Sequence, residues 1–150
     1  MKVSEIMNRR PVTVAPDTPL RDVVRLMLRF HLNDVLVQER EGHLIGIITY
    51  KDIFQRLLPE YGEIMANGDV LPDADAIEDR LIDATNSPAE DIMTKRLHTA
   101  TPDTDAFRAA ALMNAQKVKQ LPVVDNGRLV GIVSYKDITW ALMAKYHKYL

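Results

Sequence analysis

The chain has 150 residues, of which 47% are hydrophobic and 27% charged, a composition typical of a globular fold. The net charge of −2 gives no electrostatic basis for sequence-independent nucleic-acid binding, and the absence of cysteine excludes disulfides, thiolate metal sites and a cysteine nucleophile. No apolar run is as long as a membrane span, and the N-terminus lacks a signal-peptide core, so we expect a cytoplasmic protein.

The first forty residues predict a strand followed by an amphipathic helix. Val12–Val14 is a short β-type segment, and Thr18 with Pro19 gives an N-cap and a first helical residue. The apolar residues that follow recur at helical spacing, so one face of the helix is expected to pack into the core. That face comprises Leu20, Val23, Val24, Met27 and Leu28.

A hairpin and a closing helix follow. Val35–Val37 and Leu44–Ile48 are apolar runs separated by a turn at Arg40–Gly42, which predicts two antiparallel strands. Ile53–Leu58 supplies the apolar face of a helix, which Pro59 ends because proline cannot continue a helix.

An acidic segment comes next, with eight carboxylates and one base between positions 59 and 86. Ile77, Leu81 and Ile82 predict a short amphipathic helix within it. The segment is either a flap over a ligand cleft or a partner surface, or a solvated insertion that this one helix anchors.

The features of the first half recur in the second. Ile6 and Ile92 are 86 residues apart, and after the hairpin the offset between Gly46 and Gly131 is 85, so a true internal repeat is present. In the second copy Thr104 is expected to start the first helix, and a lead-in helix is expected after Ser87. The predicted organisation is a first repeat over 1–58, an acidic linker over 59–88 and a second repeat over 89–150.

Each repeat contains a buried strand that runs into a hydroxyl residue, which an aspartate follows three positions later. Thr49 with Asp52, and Ser134 with Asp137, have the spacing of a helix N-cap and its first-turn partner. A helix N-terminus can hold a phosphate, and an aspartate that stays free can accept hydrogen bonds from a ribose diol. The sequence thus predicts two matching sites for a nucleotide-like ligand, although such a capping box often only starts a helix.

Other kinds of site find little support in the sequence. The four histidines are scattered without ligand spacing, so no metal site is predicted. No nucleophile, base and orienting residue form a set, so we do not expect an enzyme, and no basic recognition helix indicates DNA binding.

The ordered elements of both repeats resemble paired cystathionine-β-synthase (CBS) domains over residues 3–58 and 89–145. The resemblance lies in an Ile-Met opener, a Pro-Asp-Thr turn, a hydrophobic hairpin and the motif Gly-Ile-x-(Thr/Ser)-Tyr-Lys-Asp-Ile; Leu121–Asp125 is especially typical. It implies a mixed α/β fold of two pseudo-symmetric β-α-β-β-α repeats packed sheet to sheet, a Bateman module, which commonly forms a homodimer.

The resemblance also implies a regulatory, non-catalytic module that binds an adenosine-containing ligand (AMP, ADP, ATP or S-adenosylmethionine) in clefts between the repeats. No cofactor is required, and the output would pass to an unknown effector protein. The alternative is a structural dimerisation module with vestigial clefts.

Family roles map onto two sets of residues. The aspartate would take the ribose hydroxyls, the threonine or serine would touch phosphate, and the base would lie against the other repeat. The first cleft would comprise Thr49, Lys51, Asp52, Arg96, His98, Val118, Lys119 and Gln120. The second would comprise Ser134, Lys136, Asp137, Arg10, Val12, Leu32, Asn33 and Asp34.

The two copies differ in the charge that precedes their hairpins. Asp34 would bring negative charge near the Asp137 cleft and disfavour a polyphosphate there, whereas Lys119 would favour one in the Asp52 cleft. The cleft of Asp52 is therefore predicted to bind nucleotide more tightly.

Overall fold

A computed structural model describes residues 1–58, 60–66, 68 and 73–147, with only the backbone of Tyr61. The helices are α1 Leu20–Phe30, α2 Tyr50–Leu57, α3 Tyr61–Ala66, α4 Ala74–Asn86, α5 Ala89–Ile92, α6 Ala106–Gln116 and α7 Tyr135–Tyr146, with a short 3-10 helix at Val3–Glu5. The strands are β1 Thr13–Val14, β2 Asp34–Gln38, β3 Leu44–Thr49, β4 Gln120–Asp125 and β5 Arg128–Ser134.

The chain divides into two compact units that do not coincide with the sequence repeats. The first unit contains Met1–Val12, Arg40–Leu44 and the residues from Arg96 onward. The second unit contains Thr13–Glu39 and Ile45–Lys95. Each unit therefore holds the strands and helices of one repeat together with the opening segment of the other.

The second unit is built on the three-stranded sheet β1-β2-β3. β1 lies parallel to β2, with Thr13 opposite Leu36 and Val14 opposite Val37. On α1, Leu20, Val23 and Met27 are buried as predicted, but Leu28 is 70% exposed. Leu26, which the predicted face does not include, packs against the core, so the buried face of α1 is shifted from the predicted one.

The first unit repeats this arrangement around the antiparallel pair β4-β5. Ala100 forms a parallel bridge to Val123, which is the single-residue counterpart of β1. The hairpin turn has Asn126 at φ 48° and Gly127 at φ 80°, as a two-residue turn between twisted strands requires. The buried core of this unit comprises Val3, Met7, Ala100, Ala106, Ala109, Met113, Leu121, Val123, Val133 and Ile138.

The acidic segment carries an anchoring helix, but its inward face differs from the predicted one. α4 packs against α1 and α2, and Ala84 is buried in the core of the second unit. Ile77, Leu81 and Ile82 are instead about half exposed. The prediction selected the largest apolar side chains of this segment, whereas the residue of α4 that enters the core is a small one, Ala84.

Three helices begin differently from the prediction. Pro19, not Thr18, caps α1, and Asp105, not Thr104, caps α6 by accepting a hydrogen bond from the N–H of Phe107. α5 forms as expected, but Pro88 is its N-cap and the hydroxyl of Ser87 makes no cap. In each case the helix begins one or two residues later than the sequence indicates.

The opening segment Met1–Val12 is held to the first unit along its length. The N–H of Val3 donates to the carbonyl oxygen of Thr104 at 2.8 Å. Lys2 Nζ donates to Asp103 Oδ1 at 2.7 Å, which raises the pKa of Lys2 and lowers the pKa of Asp103. Because both groups are exposed, this ion pair adds little stability.

Candidate functional site

The N-terminus of α2 forms a complete capping box. The N–H and the hydroxyl of Thr49 donate to Asp52 Oδ2 at 2.7 and 2.8 Å, and the N–H of Asp52 donates back to Thr49 Oγ1 at 3.2 Å. β3 brings Thr49 to this point in extended conformation, and the chain turns into the helix at Tyr50. The predicted Thr49–Asp52 cap is confirmed.

The N-terminus of α7 has the same construction. The N–H and hydroxyl of Ser134 donate to Asp137 Oδ2 at 2.8 and 2.6 Å, and the N–H of Asp137 donates to Ser134 Oγ at 3.2 Å. The two boxes belong to different units.

The boxes leave part of each carboxylate unused. An ionised carboxylate has about four lone-pair sites on its two oxygens. Two of them, on Oδ2, are filled by the box, so the Oδ1 atoms of Asp52 and Asp137 supply the remaining acceptors. The hydroxyl hydrogens of Thr49 and Ser134 are directed at these carboxylates, so a phosphate must compete with the aspartate for them.

The opening segment of the second repeat lies beside β3 in the second unit. Ile47 and Thr94 exchange backbone hydrogen bonds of 3.1 and 2.8 Å. This pairing holds the Thr94 side chain beside the α2 box, where its hydroxyl donates to Asp52 Oδ1 at 3.2 Å. This hydrogen bond joins two residues that are 42 positions apart in the chain.

The opening segment of the first repeat lies beside β5 in the first unit. Asn8 and Ile132 exchange two backbone hydrogen bonds of 2.9 Å, the equivalent of the Thr94 pairing. The side chain of Asn8 turns back on its own segment and accepts from the N–H of Arg10 at 2.9 Å. Within the described residues, Asp137 Oδ1 accepts no hydrogen bond.

Only one N–H in each first helical turn is open among the described residues. The N–H of Tyr50 donates to the carbonyl oxygen of Asn33 at 3.2 Å, and that of Tyr135 to Lys119 at 3.2 Å. The third N–H of each helix is bound in the box. The backbone N–H groups of Lys51 and Lys136 therefore remain for an anion, and each belongs to a residue with an exposed ammonium group.

Each predicted residue set is divided between the two units. Arg10 and Val12 lie in the same unit as Asp137, whereas Leu32, Asn33 and Asp34 lie in the unit of Asp52. The remaining predicted contacts of the Asp52 cleft belong to the first unit: Arg96, His98, Val118, Lys119 and Gln120. Their roles stay predictions.

Sequence reasoning missed Thr94 and Asn8, which lie beside the two boxes. The signal was the position after the Ile-Met opener of each repeat, where the two copies differ in residue type. Within the part of the chain that the structure describes, no group of three histidine or acidic side chains is placed to hold a metal ion. None of the described helices combines the length and apolarity needed to cross a bilayer.

The repeated β-α-β-β-α units with matching helix-start boxes define a duplicated mixed α/β domain pair. A family model of the CBS domain matches residues 3–59 and 89–144. The chain therefore belongs to the CBS domain family and is a tandem CBS pair, a Bateman module.

Relatives of known sequence agree with this assignment. The chain is 32% identical to an uncharacterized protein of Methanocaldococcus jannaschii, over 95% of this chain and 92% of the relative. It is also 29% identical to the inosine-5′-monophosphate dehydrogenase of that organism, but it spans only 23% of that enzyme's length.

Solved structures share the fold. Protein MJ1225 of Methanocaldococcus jannaschii is 26% identical, with a TM-score of 0.76 over 94% of this chain and 47% of that one. The CBSX2 structure in complex with AMP has a TM-score of 0.74 at 21% identity, covering 96% and 97% of the two chains. The CBS domain pair of protein MJ0100, in complex with 5′-methylthioadenosine and S-adenosyl-L-methionine, has a TM-score of 0.68 at 24% identity, covering 97% and 98%.

Proposed function

We propose that this chain is a regulatory module that senses an adenosine-containing ligand. The ribose diol of the ligand would bind the carboxylate of Asp52 or Asp137, and its charged group would meet the start of α2 or α7. AMP, methylthioadenosine and S-adenosylmethionine, the ligands of two proteins with this fold, share the adenosine diol and differ beyond it.

The unused acceptor sites of the boxes are the observation that carries this proposal. A vicinal diol offers two O–H donors, and Asp137 Oδ1 has two lone-pair sites without a donor among the described residues. The box fixes the carboxylate through Oδ2, so Oδ1 is held ready for a ligand and loses little freedom on binding.

The start of each helix supports binding of the charged end of the ligand. The open N–H groups of Lys51 and Lys136 coincide with the partial positive charge of the helix N-terminus. Arg10 adds a further exposed cation in the first unit. Its neighbour Arg9 instead donates a hydrogen bond to the carbonyl oxygen of Ser4. These groups suit a phosphate, or the carboxylate in the methionine part of S-adenosylmethionine.

Thermal unfolding with a ligand panel tests the proposal. At a concentration of AMP about 100 times its dissociation constant, we expect a stabilisation of about 2.7 kcal/mol. For a chain of this length, that corresponds to a rise in Tm of about 5–10 °C. ADP, ATP and S-adenosylmethionine form the rest of the panel, and the strongest of them identifies the ligand class.

2′-Deoxy-AMP is the matched control because it lacks one hydroxyl of the diol. We expect it to bind at least about tenfold more weakly than AMP, since the carboxylate loses one of the two donors of the diol. The alternative, a structural dimerisation module with vestigial clefts, predicts no shift with any of the ligands. Equal shifts with AMP and its deoxy analogue would remove the diol from the mechanism.

The proposal includes a homodimer in the cytoplasm as the responding assembly. A ligand that binds one arrangement of the molecule better than another shifts the population toward it. A separate effector protein would respond to that shift.

A further inference from the structure

We infer that the hydroxyl of Thr94 makes the two ligand sites unequal, so that the site at Asp137 takes ligand before the site at Asp52. The inference rests on the proposed function and concerns how its two sites are ordered. It follows from the two boxes being alike and their neighbouring residues being different.

The Asp52 carboxylate has one open lone-pair site fewer than a diol needs. The capping box fills both lone-pair sites of Oδ2, and Thr94 Oγ1 donates to Oδ1 at 3.2 Å. One lone-pair site remains for a diol that brings two donors. A ligand must therefore displace the Thr94 hydroxyl, which loses a hydrogen bond to a charged group.

The Asp137 carboxylate has both of the open lone-pair sites that a diol needs, among the described residues. Oδ2 accepts from the N–H and hydroxyl of Ser134, and Oδ1 receives no donor from the described residues. Asn8, in the position equivalent to Thr94, uses its Oδ1 to hold the N–H of Arg10. The Asp137 carboxylate can thus accept both diol hydroxyls without losing a bond.

Thr94 is held in this position by the backbone and not by its own side chain. Its paired hydrogen bonds with Ile47, at 3.1 and 2.8 Å, fix its Cα beside the end of β3. Substituting the side chain therefore removes the hydroxyl without removing the strand pairing. A change in affinity then reports on the hydroxyl alone.

This order is the opposite of the one that charge predicts, in which Asp34 weakens the Asp137 cleft. The two predictions concern different parts of the ligand, since Asp34 would act on phosphates and Thr94 acts on the diol. AMP, with a single phosphate, is the probe most sensitive to the diol term.

Calorimetric titration with AMP on single-site variants tests the inference. Asp137→Ala leaves the Asp52 site, and Asp52→Ala leaves the Asp137 site. We expect AMP to bind the Asp137 site about five- to tenfold more tightly, in line with the typical net contribution of one hydrogen bond. Adding Thr94→Val to Asp137→Ala should tighten AMP binding about fivefold, because valine keeps the shape and lacks the donor.

Two further variants serve as controls. Thr94→Ser keeps the donor and should leave AMP binding at the Asp52 site within about twofold of its parent. Asn8→Thr in the Asp52→Ala background should weaken the Asp137 site several-fold by placing a hydroxyl there, and it decides the question if Thr94→Val does not fold. Thermal unfolding of each variant confirms its fold.

The outcomes separate this inference from the function on which it rests. If AMP binds both single-site variants equally, or Thr94→Val leaves affinity unchanged or lower, the ordering is overturned and the proposed function stands. If the unsubstituted chain binds none of AMP, ADP, ATP and S-adenosylmethionine, the proposed function fails and the ordering fails with it.

Discussion

Gly131 lies where the opening segment crosses β5, and its missing side chain makes room for that crossing. A Cβ built at Gly131 would lie 2.8 Å from the backbone oxygen of Asn8 and 2.8 Å from Met7 Sδ. Gly46 has the same role in the second unit, where an added Cβ would meet the side chain of Met93. The repeated glycine therefore serves the packing that places Asn8 and Thr94.

Gly131→Ala is expected to lower the free energy of unfolding by about 1–3 kcal/mol, because a backbone atom must move to relieve the overlap. Urea denaturation measures the change. Gly62→Ala is the matched control, since nothing lies within 4 Å of its added Cβ and it sits in α3, where alanine is favoured. A Gly131→Ala protein within about 0.5 kcal/mol of the parent would contradict the crossing as described.

The residue-level chemistry of the boxes could be predicted, but the neighbours of the boxes could not. Thr49 and Asp52 are three positions apart, so their hydrogen bonds depend on local helix geometry alone. The bond from Thr94 to Asp52 spans 42 positions and depends on which segment pairs with β3. No local pattern encodes that pairing.

At the scale of single elements, both first helices of the repeats end in an unusual way. His31 after α1 and Lys117 after α6 have φ values of 52° and 55°, in the left-handed region that favours glycine. Each helix is followed directly by the stretch that carries Asn33 or Lys119, whose carbonyl oxygens accept the first N–H of α2 or α7. The strained residue thus aims the chain at the start of the next helix.

Lys117→Gly is expected to raise the free energy of unfolding by about 0.5–1 kcal/mol, because glycine adopts this conformation without a steric penalty. Thermal and urea unfolding measure the gain. Gln116→Gly, one residue earlier in regular helix, should instead lower the free energy of unfolding by a similar amount. A loss of stability in Lys117→Gly would show that the lysine side chain contributes more than its backbone costs.

The elements themselves were predicted where their signals are local. Met27 and Met113 lie on regular helical stripes, and both are buried. α1 and α4 depart from this: Leu28 is exposed on α1, and on α4 the predicted face of Ile77, Leu81 and Ile82 is about half exposed while Ala84 is buried. Which face of α4 meets α1 and α2 depends on the packing of helices distant in sequence, and the spacing of large apolar residues does not encode it.

At the scale of the whole molecule, the homodimer proposed above needs an exposed apolar surface to bury. On the first unit, Trp140 of α7 is 64% exposed and Phe107 of α6 is 62% exposed. A stable homodimer buries about 1,600 Å² in all, and aromatic anchors supply much of its energy. We expect the proposed homodimer to bury Trp140.

In the homodimer proposed above, Trp140→Glu is expected to give a monomer without unfolding the chain, because a charge at a buried interface lacks a partner. Light scattering after gel filtration measures the mass, and Trp140→Phe, which keeps an apolar ring, should remain dimeric. Trp140 is the only tryptophan of the chain, so its fluorescence reports the same change on dilution. An unchanged mass for Trp140→Glu would place the interface elsewhere.

The exchange of opening segments between the two units has a consequence for the origin of the chain. Val3 and Met7 complete the core of the first unit, and Ala89 completes the core of the second. A single repeat separated from the other would therefore keep its own opening segment but lose the opening segment that packs on its core. An ancestral protein with one repeat could complete its core only with the opening segment of a second copy, as in a domain-swapped dimer. Fusion of two repeats in tandem would convert that exchange between two molecules into an exchange within a single polypeptide.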